Sequence, residues 1–297
     1  MTAALKKRGY ATLLAGSWPL NNLAKSPQSA KALGFDYTCV WSPKDSVLLQ
    51  GSKVKEQSFD ADQINKYVTD FIRVKRSKSF FIYYPMYLGE VKSSAGMARN
   101  VKKMDDLIGD LVASVDKLGL KKKTIIVISS DNGSSYPNKF KSTLSKKIPS
   151  GVKRTGQTPP AGKGQLTDIG VRVPLMVCAP FLIVEEGMYN RDLIDASDML
   201  PTLLEVSGAK INGKVDGQSF ADSLRGEINP FNKRNWILSQ SGDKIIIRDW
   251  EFLYHSDDKV YGMEYDPYMQ TNMKKVRHND KVIEGGAGRL KMILKRV

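Results

Sequence analysis

The side chains able to do chemistry in this 297-residue chain are few, and their positions are restrictive. Its two histidines are His255 and His278. A mechanism that needs an imidazole within residues 1–254 is therefore excluded. The two cysteines, Cys39 and Cys178, lie far apart and give neither a disulfide framework nor zinc-ligand spacing. Both read as structural, Cys178 within an apolar run. Asp131-Asn132-Gly133 directly follows the apolar segment TIIVISS (124–130). In α/β sheets functional residues sit just past the carboxyl ends of strands, although Asp-Asn-Gly is also a strong turn sequence. Residues 132–167 hold no acidic residue but seven basic ones, namely Lys139, Lys141, Lys146, Lys147, Lys153, Arg154 and Lys163. This Gly-, Ser-, Thr- and Pro-rich stretch reads as a long loop, and loops of that length are functional or disordered.

The elements that must position these residues follow from periodicity. Residues 10–16 read as a short buried strand after a basic helix end at Lys6-Lys7-Arg8-Gly9. Ile64, Tyr67, Val68, Phe71 and Ile72 share one face of a helix over 62–76. SFFIYY (79–84) is an apolar strand closed by Pro85. Met97, Val101, Met104, Ile108, Leu111, Val115 and Leu118 predict a helix over 97–118, stopped by Gly119. TIIVISS and RVPLMVCAP (172–180) read as fully buried strands. Ser197 is the expected N-cap of a helix over 198–207, ended by Gly208. From about residue 225 the short strands WILSQ, KIIIR, WEFLYH and KVYGMEY suggest an antiparallel meander. Continuous apolar strands alternating with helices imply an α/β class with a largely parallel sheet covered on both faces. The expected division is an α/β domain over 1–224 and a small antiparallel-sheet subdomain over 225–297.

Composition bounds the remaining classes. With 41% hydrophobic residues the chain can bury a real core. No apolar run reaches the roughly 18 residues needed to span a bilayer, so no membrane partner is expected, and the N-terminus shows no secretory leader pattern. The formal charge of +15 favours polyanionic partners. A nucleic acid is disfavoured, because no recognised motif occurs and the cations are not interleaved with aromatics.

Seven segments in order resemble the sulfatase family of the alkaline-phosphatase superfamily. They are LKKRGYATLLAGSWPLN (5–21), KALGFDYTCVW (31–41), MDDLIGDLVASVDKLGLKKKTIIVISSDNG (104–133), GKGQLTDIGVRVPLMVCAP (162–180), DASDMLPTLLEVSGA (195–209), VDGQSFADSLRG (215–226) and YDPYMQTNM (265–273). The resemblance implies an alkaline-phosphatase-like, mostly parallel sheet flanked by helices. It implies sulfuric ester hydrolysis on a sulfated small molecule or glycan. It further implies a calcium ion held in part by Asp131 and Asn132, and a sulfate-binding role for Lys163. A hard cation suits carboxylate and amide oxygens, and a sulfate oxyanion suits a cationic site.

The departures from the family pattern are equally specific. The family's lysine and histidine near the first strand are Ser17 and Pro19 here, and Pro19 can neither donate nor accept a side-chain proton. A further family histidine is missing from the stretch holding Met86, Tyr87 and Leu88. The C/S-x-P-x-R run that yields the formylglycine nucleophile is absent, as are the two early metal aspartates. The expectation is a chain lacking the family's N-terminal portion, through truncation, a split gene with a separately encoded N-terminal half, or degeneration. Such a chain is expected to be inactive alone, with no catalytic residue assigned. The alternative is a non-catalytic binder of sulfated glycans or other polyanions through the basic loop 139–163.

Overall fold

The computed structural model describes residues 1–89, 94–133, 162–227, 229, 233–264, 269, 273 and 281–296. The basic loop 139–161, the segment 265–268 and His278 lie outside the described residues. The chain forms two compact units.

The first unit comprises residues 1–124, 179–182 and 200–215. It opens with α1 (Thr2–Lys7), β1 (Ala11–Ser17), α2 (Ser29–Ala32), β2 (Tyr37–Ser42), β3 (Val47–Gln50) and β4 (Lys53–Glu56). Next come α3 (Ala61–Lys75), β5 (Phe80–Tyr83), α4 (Ser94–Lys117) and a 3-10 turn at Lys121–Lys123. The sheet order is β4-β3-β2-β1-β5. β1 pairs in parallel with both β2 and β5, with Leu14 opposite Thr38 on one side and Tyr83 on the other. β3 and β4 add an antiparallel hairpin.

The two faces of this sheet are separately covered, as alternation along a strand requires. Leu13, Ala15, Cys39 and Leu48 pack with Ile64, Val68, Phe71 and Ile72 of α3 and Val115 of α4. Leu14, Val40 and Leu49 pack on the other face with Leu23, Ala30 and Phe35. Leu5 of α1 joins Leu204 and Ala209 there, partly against Phe81. Asp60 caps α3 by accepting the Gln63 amide at 3.0 Å, and Gly119 in the left-handed region (φ 67°) ends the α4 segment. Both long helices thus lie where the apolar spacing places them.

The second unit comprises residues 125–178, 183–199 and 216–297. It contains β6 (Ile126–Ser129), α5 (Asp168–Val171), β7 (Leu175–Cys178) and a 3-10 turn at Ala196–Asp198. That turn leads into α6 (Met199–Val206), most of which belongs to the first unit. The second unit continues with α7 (Ala221–Leu224), β8 (Ile237–Ser241), β9 (Lys244–Arg248), β10 (Phe252–His255), β11 (Lys259–Gly262) and α8 (Lys281–Leu294). β8 to β11 form the expected antiparallel meander in the order β11-β10-β9-β8. α8 covers it through Ile283, Ala287 and Leu290, packed on Ile247, Phe252, Tyr254 and Val260.

Two expectations are corrected. β6 and β7 are half-exposed rather than fully buried, and Cys178 is exposed. Among the described residues they pair only with each other, antiparallel, and a two-stranded ribbon cannot bury both its faces. The cap before α6 is Asp195 rather than Ser197. Asp195 accepts the Ser197 amide at 2.9 Å, while Asp198 reaches back to the Asp195 amide at 2.8 Å, a reciprocal capping box.

Candidate functional site

The candidate site grows from the carboxyl end of β6. Asp131 is exposed and Asn132 half-buried, in a turn where the Ser130 hydroxyl donates to the Asn132 carbonyl at 3.1 Å. Gly133 then docks on the segment that carries Lys163. Its amide donates to the Gly170 carbonyl at 2.8 Å, and a β-carbon on it would overlap the Ile169 carbonyl. Gly162 and Gly170 are held equally close. A β-carbon on Gly162 would strike the Ile169–Gly170 peptide, and one on Gly170 the carbonyls of Gln165 and Gly162. Three glycines at one backbone crossing thus bring the Asp131-Asn132 turn and the Lys163 loop together. Larger residues would hold them apart.

The loop closes through Gln165, whose amide donates to the Gly162 carbonyl at 2.9 Å. Thr167 caps α5 by accepting the Gly170 amide at 3.2 Å. Lys163 is exposed. Among the described residues neither the Asp131 carboxylate nor the Lys163 ammonium has a hydrogen-bond or ion-pair partner.

Beneath this loop lies a buried ionic chain that periodicity did not reveal. Asp168, 3% exposed, accepts from the Arg248 guanidinium, and Arg172 stands 3.7 Å away. The Arg248 Nε donates to the Asp249 carbonyl at 3.1 Å. The Asp249 carboxylate accepts the amides of Glu251 at 2.9 Å and Phe252 at 2.8 Å, and also pairs with Arg289 of α8. The loop is thereby anchored to the meander and its covering helix. The available signal was an arginine at the end of the apolar strand KIIIR, where a buried cation demands a carboxylate.

The other residues singled out in the sequence have plain surroundings. Ser17 ends β1, its amide donating to the Pro85 carbonyl at 2.8 Å, and Pro19 is exposed. Tyr87 stacks on Trp41 with ring centroids 6.1 Å apart and meets Phe59 edge-on at 5.4 Å. The stretch 86–88 thus supplies aromatic packing. Cys39 is buried, and desolvation pushes its thiol up to about 12, which removes it as a nucleophile at neutral pH. The His255 Nδ1 lies 2.8 Å from Asp257 on the meander.

Two oxygen donors, one carboxylate and one amide, fit calcium in kind but not in number, since it takes six to eight ligands. Among the described residues no group of three His, Cys, Asp or Glu side chains could complete such a sphere. The described residues therefore do not by themselves fit a calcium site.

Comparison with known proteins agrees with this architecture. The family model described as Sulfatase matches residues 93–209, a span that includes Asp131, Asn132 and Lys163. The steryl-sulfatase of Mus musculus is 25% identical over 234 residues, covering 72% of this chain and 35% of that protein. An ulvan-active sulfatase of Formosa agariphila is 26% identical over 172 residues, covering 55% of this chain and 29% of that protein. The chain thus spans about a third of the length of these curated relatives. A protein solved in complex with its substrate D-glucosamine-2-N,6-O-disulfate superposes with a TM-score of 0.70 at 17% identity, over 99% of this chain and 81% of that one. The fold is accordingly the alkaline-phosphatase-like α/β fold. Residues 93–209 thus match the Sulfatase model, and the chain is similar to sulfatases in sequence and in fold.

Proposed function

We propose that this chain binds the sulfate group of a sulfated small molecule or glycan through Lys163, beside the Asp131-Asn132 turn, and does not by itself turn the ester over. The observation that supports the reading is the glycine crossing at Gly133, Gly162 and Gly170, which brings these two segments together. An exposed ammonium with no partner among the described residues can make charge-assisted hydrogen bonds to sulfate oxygens. The Asp131 and Asn132 oxygens face the opposite task, since they suit a cation and would repel a bare anion. The sequence offers no C/S-x-P-x-R run to supply the attacking group, and burial silences the Cys39 thiol. Sulfated sugars are the substrate class that fits best, because the structural neighbour named above holds a disulfated glucosamine.

The test is calorimetric titration with 4-nitrophenyl sulfate and with a sulfated monosaccharide, alongside a turnover assay on the former. Lys163→Ala is expected to weaken binding by roughly tenfold or more, the scale of a lost charge-assisted contact. Undiminished binding by that variant would refute the assignment of Lys163. Wild-type turnover above that of Lys163→Ala would refute the non-catalytic part.

A further inference from the structure

The amino-terminal edge of the parallel strands in the first unit carries a dense cluster of cations that the sulfate-binding reading leaves unused. Ala11, Tyr37 and Phe80 open β1, β2 and β5 at this edge. The elements that return to it end in positive charge. α1 finishes in Lys6-Lys7-Arg8, α3 in Lys75-Arg76 with Lys78 just beyond, and the turn after α4 is Lys121-Lys122-Lys123. Specific contacts fix these segments there. Lys6 pairs with Asp36 at 2.6 Å, next to Tyr37, and the Lys75 Nζ lies 2.6 Å from the Tyr37 hydroxyl. The Ala11 amide donates to the Ser79 carbonyl at 2.9 Å. Leu118 and Leu120, which precede the lysine turn, pack on the same core as Ala11, Tyr37 and Phe80.

Helix C-termini attract cations, but each macrodipole supplies only about half a negative charge. The carboxylates at this edge do not make up the difference. Asp36 is engaged by Lys6 and Asp70 by Lys66 and Arg73, which leaves Asp116 in the last turn of α4 against the remaining cations. Among the described residues no carboxylate lies within ion-pair distance of Lys7, Arg8, Lys78 or the lysine turn, and all of these are exposed. A multiply charged ligand engages several of these cations at once, whereas a single small anion is screened from all but its nearest neighbours beyond about 8 Å. Among the described residues, the aromatic ring these cations hold is Tyr37, whose hydroxyl end is taken up by Lys75, with its Nζ 4.5 Å from the ring centroid, and no stacking platform for bases is found there.

We propose that this edge is a docking surface for a sulfated polysaccharide chain, using none of the residues assigned to the sulfate-ester site. The choice of polymer rests on the reading above that the chain binds sulfated glycans. Multipoint attachment would hold a polymeric ligand to the protein and raise its effective concentration at a second site.

The experiment measures binding of fluorescein-labelled dextran sulfate by anisotropy, at low and at physiological ionic strength. One variant reverses Lys7, Lys78, Lys121, Lys122 and Lys123 to Glu. A control with the same charge change reverses the exposed Lys53, Lys55, Lys210, Lys214 and Lys244. The edge variant is expected to bind roughly tenfold or more weakly with a shallower salt dependence, by the counterion-release relation. The control is expected to lose less than about threefold on the same basis. Lys121→Gln with Lys123→Gln is expected to fall between wild type and the five-site variant, which keeps the test valid if the larger variant misfolds. Lys163→Ala is expected to bind dextran sulfate as wild type does, so failure of the ester-binding site and failure of this surface are told apart. Equal loss in both five-site variants would overturn the proposal in favour of bulk charge. Tighter binding of a DNA duplex, lost in the edge variant, would overturn it in favour of a nucleic acid.

Discussion

Gly133 lies directly against the backbone of Ile169, with no room for a side chain between them. Its amide reaches past Ile169 to the Gly170 carbonyl at 2.8 Å. This crossing, rather than any side-chain contact, joins the Asp131-Asn132 turn to the loop carrying Lys163.

Gly133→Ala should therefore separate the two segments. The added methyl meets backbone, which cannot rotate away as a side-chain tip can. A loss of roughly 1–3 kcal/mol is expected, as for overpacked positions. Thermal unfolding reads the stability change, and titration with 4-nitrophenyl sulfate reads the accompanying loss of affinity. A variant as stable as wild type would show that the crossing is looser than described.

Much of this arrangement was legible in the sequence, and the exceptions have identifiable causes. The helices α3 and α4 follow from apolar spacing because each lays one face on the sheet. The meander follows from short apolar runs separated by turns. α8 escaped because Gly285, Gly286 and Gly288 argue against a helix. The structure shows why Gly286 is there, since a β-carbon would run into the Phe252 ring against which the helix packs. The half-exposure of β6 and β7 was hidden for a different reason. A run of apolar residues reports what a strand can bury, not how many neighbours it finds. For the candidate site, the place of Asp131 and Asn132 after an apolar run marked them as candidates, and a metal-binding role came only with the family resemblance. The supporting pair Asp168 and Arg248 is 80 residues apart and invisible to local periodicity.

That pair makes a second prediction. Asp168 and Arg248 are 3% and 8% exposed, so removing either partner strands the other charge away from water. Asp168→Asn and Arg248→Met are each expected to cost roughly 3–5 kcal/mol. The double variant should cost less than the sum, because the desolvation penalty disappears with the second charge. Urea unfolding of the four proteins gives the coupling. Additive losses would mean that the two residues act through separate contacts.

The pH dependence of the first unit should have a component from Asp36. Burial pulls its carboxyl up, but hydrogen bonds from Lys6 and from the Thr12 hydroxyl and amide outweigh this and hold it below the ordinary carboxylate value. A carboxyl lowered in the folded state contributes stability that is present above its unfolded pKa of about 3.9 and is lost as pH falls through the lower folded value. Asp36→Asn should be less stable than wild type at neutral pH and should converge with it in acid. Melting temperatures measured from neutrality down to strong acid would show the convergence. A constant gap would assign the effect to packing instead.

The two cysteines should differ sharply in reactivity. Cys39 sits in the middle of β2, facing α3, and burial pushes its thiol up to about 12. Thiolate is the reactive species, so at mildly alkaline pH Cys39 offers almost none, and little reagent reaches it. Cys178 is exposed at the end of β7, where reagent reaches it freely. A disulfide reagent should therefore modify the native chain rapidly at one thiol, lost in Cys178→Ser and kept in Cys39→Ser. The second thiol should react only when denaturant is added, at a rate set by opening of the five-stranded sheet. Rapid native modification at two thiols would mean that β2 opens readily to solvent. That result would also remove the argument that Cys39 is chemically silent.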